Sequence, residues 1–108
     1  MNEGATDFRL NAPPSVTMQT VSAFRSELRD ACGSHSSILL DIGGVTEADL
    51  SFVQVVYAAR YQMDSVGGSL KLAGPATAGA PIATLLQRAG FTSNPADVDF
   101  WFHGELPQ

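Results

Sequence analysis

The sequence predicts a single α/β domain built on a mostly parallel or mixed sheet, and three observations carry that prediction. Short apolar or alternating runs take turns with helical patterns of roughly 10–15 residues, the spacing that βαβ units require. Gly43-Gly44, Gly67-Gly68 and Gly74-Pro75 punctuate the joints between them. The 108 residues are 44% apolar and only 16% charged, the composition of one globular unit. A chain of this length buries roughly two thirds of its unfolded surface and needs no staple to stay folded. Residues 1–108 therefore read as one domain, without an internal repeat or a linker.

The elements follow in order. Phe8 and Leu10 alternate with Asp7, Arg9 and Asn11, the period of a short half-buried strand. Pro13 and Pro14 force a turn or a sheet edge, and Ser15 or Thr17 is placed to cap the helix that follows. In that helix Val21, Phe24, Leu28 and Ala31 recur at three- and four-residue spacing, with Arg25, Glu27, Arg29 and Asp30 on the wet side. Gly33 stands where a left-handed helix end is expected. Ser37 to Asp41 (SILLD) is a continuous apolar run closed by an acid, as in a central strand buried on both faces. A second helix spans about Asp49 to Asp64, with Val53, Val56, Ala59, Arg60 and Met63 along one side. Leu70, Leu72 and Ala73 form the next strand. Thr77 to Arg88 is a third helix with Ile82, Leu85 and Leu86 inward, and Pro81 falls near its first turn, where a missing N–H costs little. Asp97 to Phe102 (DVDFWF) alternates as a last strand. On such a strand Phe100, Trp101 and Phe102 do not all point inward, so at least one is expected at the surface or under the tail.

Charge narrows the partners. Eleven acidic residues against six basic ones leave a formal charge of -5. The cations Arg9, Arg25, Arg29, Arg60, Lys71 and Arg88 are scattered, without the clustered stripe that nucleic acid requires. An anionic membrane surface is disfavoured for the same reason. The N-terminus has no basic leader and no apolar segment, and Phe52 to Ala59 is too short to span a bilayer. Cys32 is the one cysteine, which excludes an internal disulfide and a thiolate metal site. The expectation is a cytoplasmic monomer without cofactor or metal. His35 and His103 have no second ligand at useful spacing. Gly74 to Pro81 has two glycines at phosphate-loop spacing, but Ala80 and Pro81 stand where Lys and Ser/Thr are needed. Asp97 and Asp99 read as the wet face of a strand.

The informative stretch is Ile38 to Tyr57. A buried strand leads into a loop, and Asp49-Leu50-Ser51 then opens a helix at the sheet's carboxyl edge, where α/β folds place working residues. Asp49 and Ser51 are both good helix caps. Read from spacing alone, capping is their ordinary role. A helix start also offers free N–H groups and partial positive charge to a phosphate. No His or Lys lies near Ser51 in sequence to activate it as a nucleophile, so a small enzyme built on Asp49 and Ser51 has little support.

ILLDIGGV (Ile38 to Val45), ADLSFV (Ala48 to Val53), GGSLKLAGP (Gly67 to Pro75) and LLQRAGF (Leu85 to Phe91) stand in an order and spacing that resembles STAS domains of the anti-sigma-factor-antagonist type. A weaker likeness, in the Gln-Val-Val continuation, is to stand-alone STAS proteins of bacterial chemotaxis and two-component signalling. The resemblance covers nearly the whole chain. It implies a four- to five-stranded mixed sheet with helices mainly on one side. It implies a non-catalytic switch that binds a serine kinase or an anti-sigma-like regulator through Asp49, Leu50, Ser51 and Phe52, with Ser51 as the phospho-acceptor. The alternative within the family is a non-phosphorylated STAS subunit scaffolding the ATPase of a lipid-asymmetry ABC transporter. Two positions depart from the family pattern: Leu50 replaces its usual serine, and Phe52 the glycine after the acceptor. A large aromatic at Phe52 is expected either to narrow access to the hydroxyl or to serve a different partner surface.

Overall fold

In the computed structural model, which describes residues 7–74, 76 and 80–104, five strands and four helices form one α/β unit. Three parallel strands make the main sheet in the order β1 (Phe8–Asn11), β3 (Ser37–Asp41) and β5 (Ser69–Leu72). Helices α1 (Val21–Ser34) and α2 (Leu50–Ser65) supply the two crossovers. Phe8, Ile38 and Leu70 share one cross-strand row, and Leu10, Leu40 and Leu72 the next. Period-2 alternation sends both rows to the same face. There Ile38, Leu40, Leu70 and Leu72 are buried, while Arg9 and Lys71 of the intervening row are exposed. The helices thus cover mainly one side, as the resemblance implies. Ser37–Asp41 is buried on one face rather than two.

The other two strands form a separate parallel pair, β2 (Ser15–Val16) with β4 (Glu47–Ala48). Every ladder among the described residues is therefore parallel, and the expected mixed sheet is divided three and two. The expected last strand is not formed, because Pro95–Phe102 is a helix, α4. Asn94 accepts from the Ala96 amide, Pro95 holds the first turn, Asp97 sits in that turn, and His103 ends the helix in the left-handed region. These start and stop signals outweigh an alternation of six residues. Helical geometry also buries Phe100, Trp101 and Phe102 together, which a strand with one buried face could not do.

Three further boundaries differ from expectation. Gly33 lies inside α1, which continues to Ser34 with His35 as its extended cap. Neither Ser15 nor Thr17 caps α1. Ser15 is in β2, and the capping position belongs to Thr20, whose hydroxyl accepts from the Thr17 amide instead. Helix α3 (Pro81–Arg88) begins at Pro81 behind an extended Ala80; positions 77–79 of the expected helix lie outside the described residues. Gly68 is held by space: a Cβ there would stand 2.7 Å from the Ser36 carbonyl oxygen and 2.8 Å from Met63 Cε.

The core runs from the sheet through α1 and α2 to an aromatic seam. Phe52 stacks on Phe24 at 5.6 Å and meets Trp101 at 6.1 Å. Phe100 packs edge-on against Trp101, and Arg60 of α2 lies 4.0 Å over the Phe100 ring. Tyr57 joins the same two helices through hydrogen bonds, donating to Asp97 and accepting from Trp101 Nε1 at 2.9 Å. Burial and the Asp97 bond push its phenol up to about 12.

Candidate functional site

The start of α2 is built by the small sheet. The Thr46 and Glu47 amides donate to the Pro14 carbonyl at 2.7 and 3.1 Å, and the Asp49 amide donates to Val16 at 3.3 Å. Ser15 Oγ adds a bond to Glu47 Oε1 at 2.8 Å. These rungs fasten the segment entering α2 to the segment entering α1. Upstream, Asp41 shapes the loop after β3: one carboxylate oxygen accepts from the Gly43 amide at 2.8 Å, the other from Arg9 at 2.7 Å. The Gly43 bond first, then Arg9, hold its carboxyl below the usual carboxylate value.

Asp49 is the N-cap of α2 and does three things at once. Oδ1 accepts from the Ser51 amide at 3.0 Å and from the Ser51 hydroxyl, while Oδ2 accepts from the Met18 amide at 2.9 Å. It therefore caps one helix, orients the serine and pins the turn that leads into the other helix. The Ser51 hydroxyl, followed by the Met18 amide, keeps this carboxyl below its ordinary value, so it stays charged at neutral pH.

The four residues expected to form the site do not stay together. Asp49 and Ser51 are half-buried at the surface, and Leu50 is 45% exposed. Phe52 is 0% exposed. It belongs to the core, where Phe24 and Trp101 hold its ring, so it offers no partner surface and does not narrow access to the Ser51 hydroxyl. Helical geometry explains the split, since consecutive side chains point about 100° apart.

Sequence reasoning missed three neighbours of the site. Met18, 80% exposed, is tied to Asp49 by its amide. Arg25 and Arg29 line a 360 Å³ groove between α1 and α2 that has Ser51 in its wall. Their spacing of four is visible in the sequence, but the pairing of α1 with α2 is not. On the other flank of α2, Leu50, Tyr57 and Phe91 line a shallower apolar groove. His35 stacks on Phe8 and His103 caps α4, both remote from Ser51 in the element order. Cys32 is buried, and burial pushes its thiol up. Among the described residues no cluster of His, Cys, Asp or Glu could hold a metal ion, and no helix is long and apolar enough to cross a membrane.

The family model described as "Mlab, STAS domain" matches residues 4–93. Among solved structures, the chain is similar to the anti-sigma factor antagonist SpoIIAA in its unphosphorylated form, at 18% identity and a TM-score of 0.56. That likeness covers 81% of this chain and 74% of the other, and it concerns the fold. No curated protein matches.

Proposed function

The chain belongs to the STAS domain family, and from that premise we propose that it is a non-catalytic switch that binds a protein partner over the start of α2 and is released by phosphorylation of Ser51. The partner is a serine kinase or an anti-sigma-like regulator. The contact surface is Asp49, Leu50 and Ser51, with Met18 added. The observation that carries the reading is the half-buried Ser51 hydroxyl at the surface, next to exposed Leu50 and tied through Asp49 to the turn of exposed Met18, while Phe52 turns away into the core.

In the modification, Ser51 Oγ bonds to the γ-phosphorus of ATP held by the kinase. The P–O bond to ADP breaks, and the hydroxyl proton passes to a base of the kinase. The product carries about -1.5 to -2 additional charge beside an Asp49 that is already ionised. A partner face that accepts Leu50, Met18 and a neutral hydroxyl would then have to desolvate a dianion, at a cost of several kcal/mol unless it brings an arginine. At about 1.4 kcal/mol per decade, that is a loss of two or more orders of magnitude in affinity.

A second reading uses the same surface without modification, as a STAS subunit scaffolding the ATPase of a lipid-asymmetry-type ABC transporter. It is favoured by the Mlab description of the matched model and by Leu50 and Phe52 standing where the antagonists carry serine and glycine. Recovery of partners from the native cell with parent, Ser51→Ala and Ser51→Asp chains separates the two, with intact-mass measurement of the parent. The switch predicts retention with Ser51→Ala, loss with Ser51→Asp, and a phosphate-sized increment on part of the parent. Equal recovery of an ATPase with all three chains and no increment would refute the switch in favour of the scaffold.

A further inference from the structure

The groove between α1 and α2 bears on what a phosphate at Ser51 would do. The two helices start side by side, because Asp49 binds the Met18 amide in the turn before α1. Ser51 opens one wall of the groove, and Arg25, one turn into α1, stands on the other with Arg29 a turn further. Both arginines are exposed. Among the described residues neither has a carboxylate partner, whereas Arg9 is taken by Asp41 and Arg60 by the Phe100 ring.

In the unmodified chain the Ser51 hydroxyl donates to Asp49. Phosphorylation removes that proton and sets two anions against each other. The phosphoryl group is driven off Asp49, and the groove is the side that offers cations. Packed helices lie about 8–10 Å apart, a gap that a serine phosphate and an arginine close by reaching toward each other. A guanidinium grips a phosphate with two parallel hydrogen bonds.

Building on the switch reading above, we infer that phosphorylated Ser51 leaves Asp49 and is clamped within the same chain by Arg25, with Arg29 as the second cation. The modified state is then a tied α1–α2 pair, with both guanidiniums engaged by the phosphate across the groove, and not only a more negative surface.

The test uses the full chain with phosphoserine installed at position 51 during translation, so that no kinase is needed. Titration by phosphorus NMR reads the second ionisation of the phosphate, ordinarily near about 6. The clamp predicts a value lower by about 0.5–1 unit at low ionic strength, shrinking in high salt. It rises in R25Q/R29Q and does not move in R88Q, which changes a cation on α3. R25Q alone accounts for more of the rise than R29Q. Since both side chains are exposed, the variants keep the fold, and circular dichroism checks it. An unchanged phosphate ionisation in R25Q/R29Q overturns the clamp. The outcome is distinct from that of the switch. An ordinary ionisation together with partner loss sinks the clamp alone, and a lowered one with the partner retained sinks the switch alone.

Discussion

Replacing Phe52 by alanine discriminates between a core aromatic and a surface contact. The side chain is 0% exposed and lies between Phe24 and Trp101. Truncating a buried phenylalanine costs about 3–5 kcal/mol, transfer and cavity terms together, and the lost stacking on two rings favours the middle of that range, about 4 kcal/mol. With a urea slope of about 1.5 kcal/mol per molar for a domain of this size, the unfolding midpoint should fall by about 2.5–3 M. Trp101 is the chain's one tryptophan and touches the substituted ring, so its emission reports the transition directly. Leu50→Ala, at a side chain 45% exposed, should cost less than about 1 kcal/mol in the same assay. Phe52→Gly, which restores the family residue, should cost about 1 kcal/mol more than Phe52→Ala because it also loosens a helix interior. A Phe52→Ala midpoint within about 0.5 M of the parent would refute the burial argument and return Phe52 to the partner surface.

Two further variants test the hydrogen bonds. Tyr57→Phe removes the acceptor of Trp101 Nε1 and the donor to Asp97, so urea unfolding at neutral pH should show a loss of about 1–2 kcal/mol; no loss would mean that the seam between α2 and α4 does not depend on the phenol. The same phenol, raised from 10.0 to about 12, favours the folded state while neutral, so its contribution is whole below the unfolded value and fades as pH climbs from 10 toward 12; an absorbance titration should lose a step near 12 in the variant. Asp49→Asn keeps a good cap but not the charge. Since the folded carboxyl lies below 3.8, the stability gap between parent and variant should be full above that value and close as pH falls through the lower folded one, and a gap unchanged at the acid end would show that the charge contributes nothing.

Much of the fold was legible because its periodicities are strong. The core stripe of α1, the SILLD strand, α2 from its Asp cap and β5 all stand within a residue or two of expectation. The end of the chain was misread because DVDFWF alternates like a strand while Asn94-Pro95 and His103-Gly104 frame it as a helix. A six-residue alternation carries less information than a cap with a proline at one end and left-handed backbone at the other. Two rungs of β2–β4 were invisible as well, since Ser15–Val16 and Glu47–Ala48 are too short to show any period. Those rungs set the site. Without them the sequence places Asp49 at a helix start but gives no reason for it to reach Met18, nor for α1 to bring Arg25 beside Ser51.

Phe52 and Asp49 divide between them what the family motif assigns to one surface. Where the family carries glycine, nothing from that position fills the core. Here an aromatic does, and it ties the start of α2 to α1 through Phe24 and to α4 through Trp101. The helix start is thereby stiffened from below while Leu50 is exposed and Ser51 half-buried above. Asp49 works from the side, holding the serine hydroxyl with the same carboxylate that a phosphate would repel. That bond orients the Ser51 hydroxyl, and the proposed phosphorylation would have to break it. On the proposed reading, a phosphate at Ser51 would have to leave Asp49, so what its charge does would depend on whether the cations across the groove receive it.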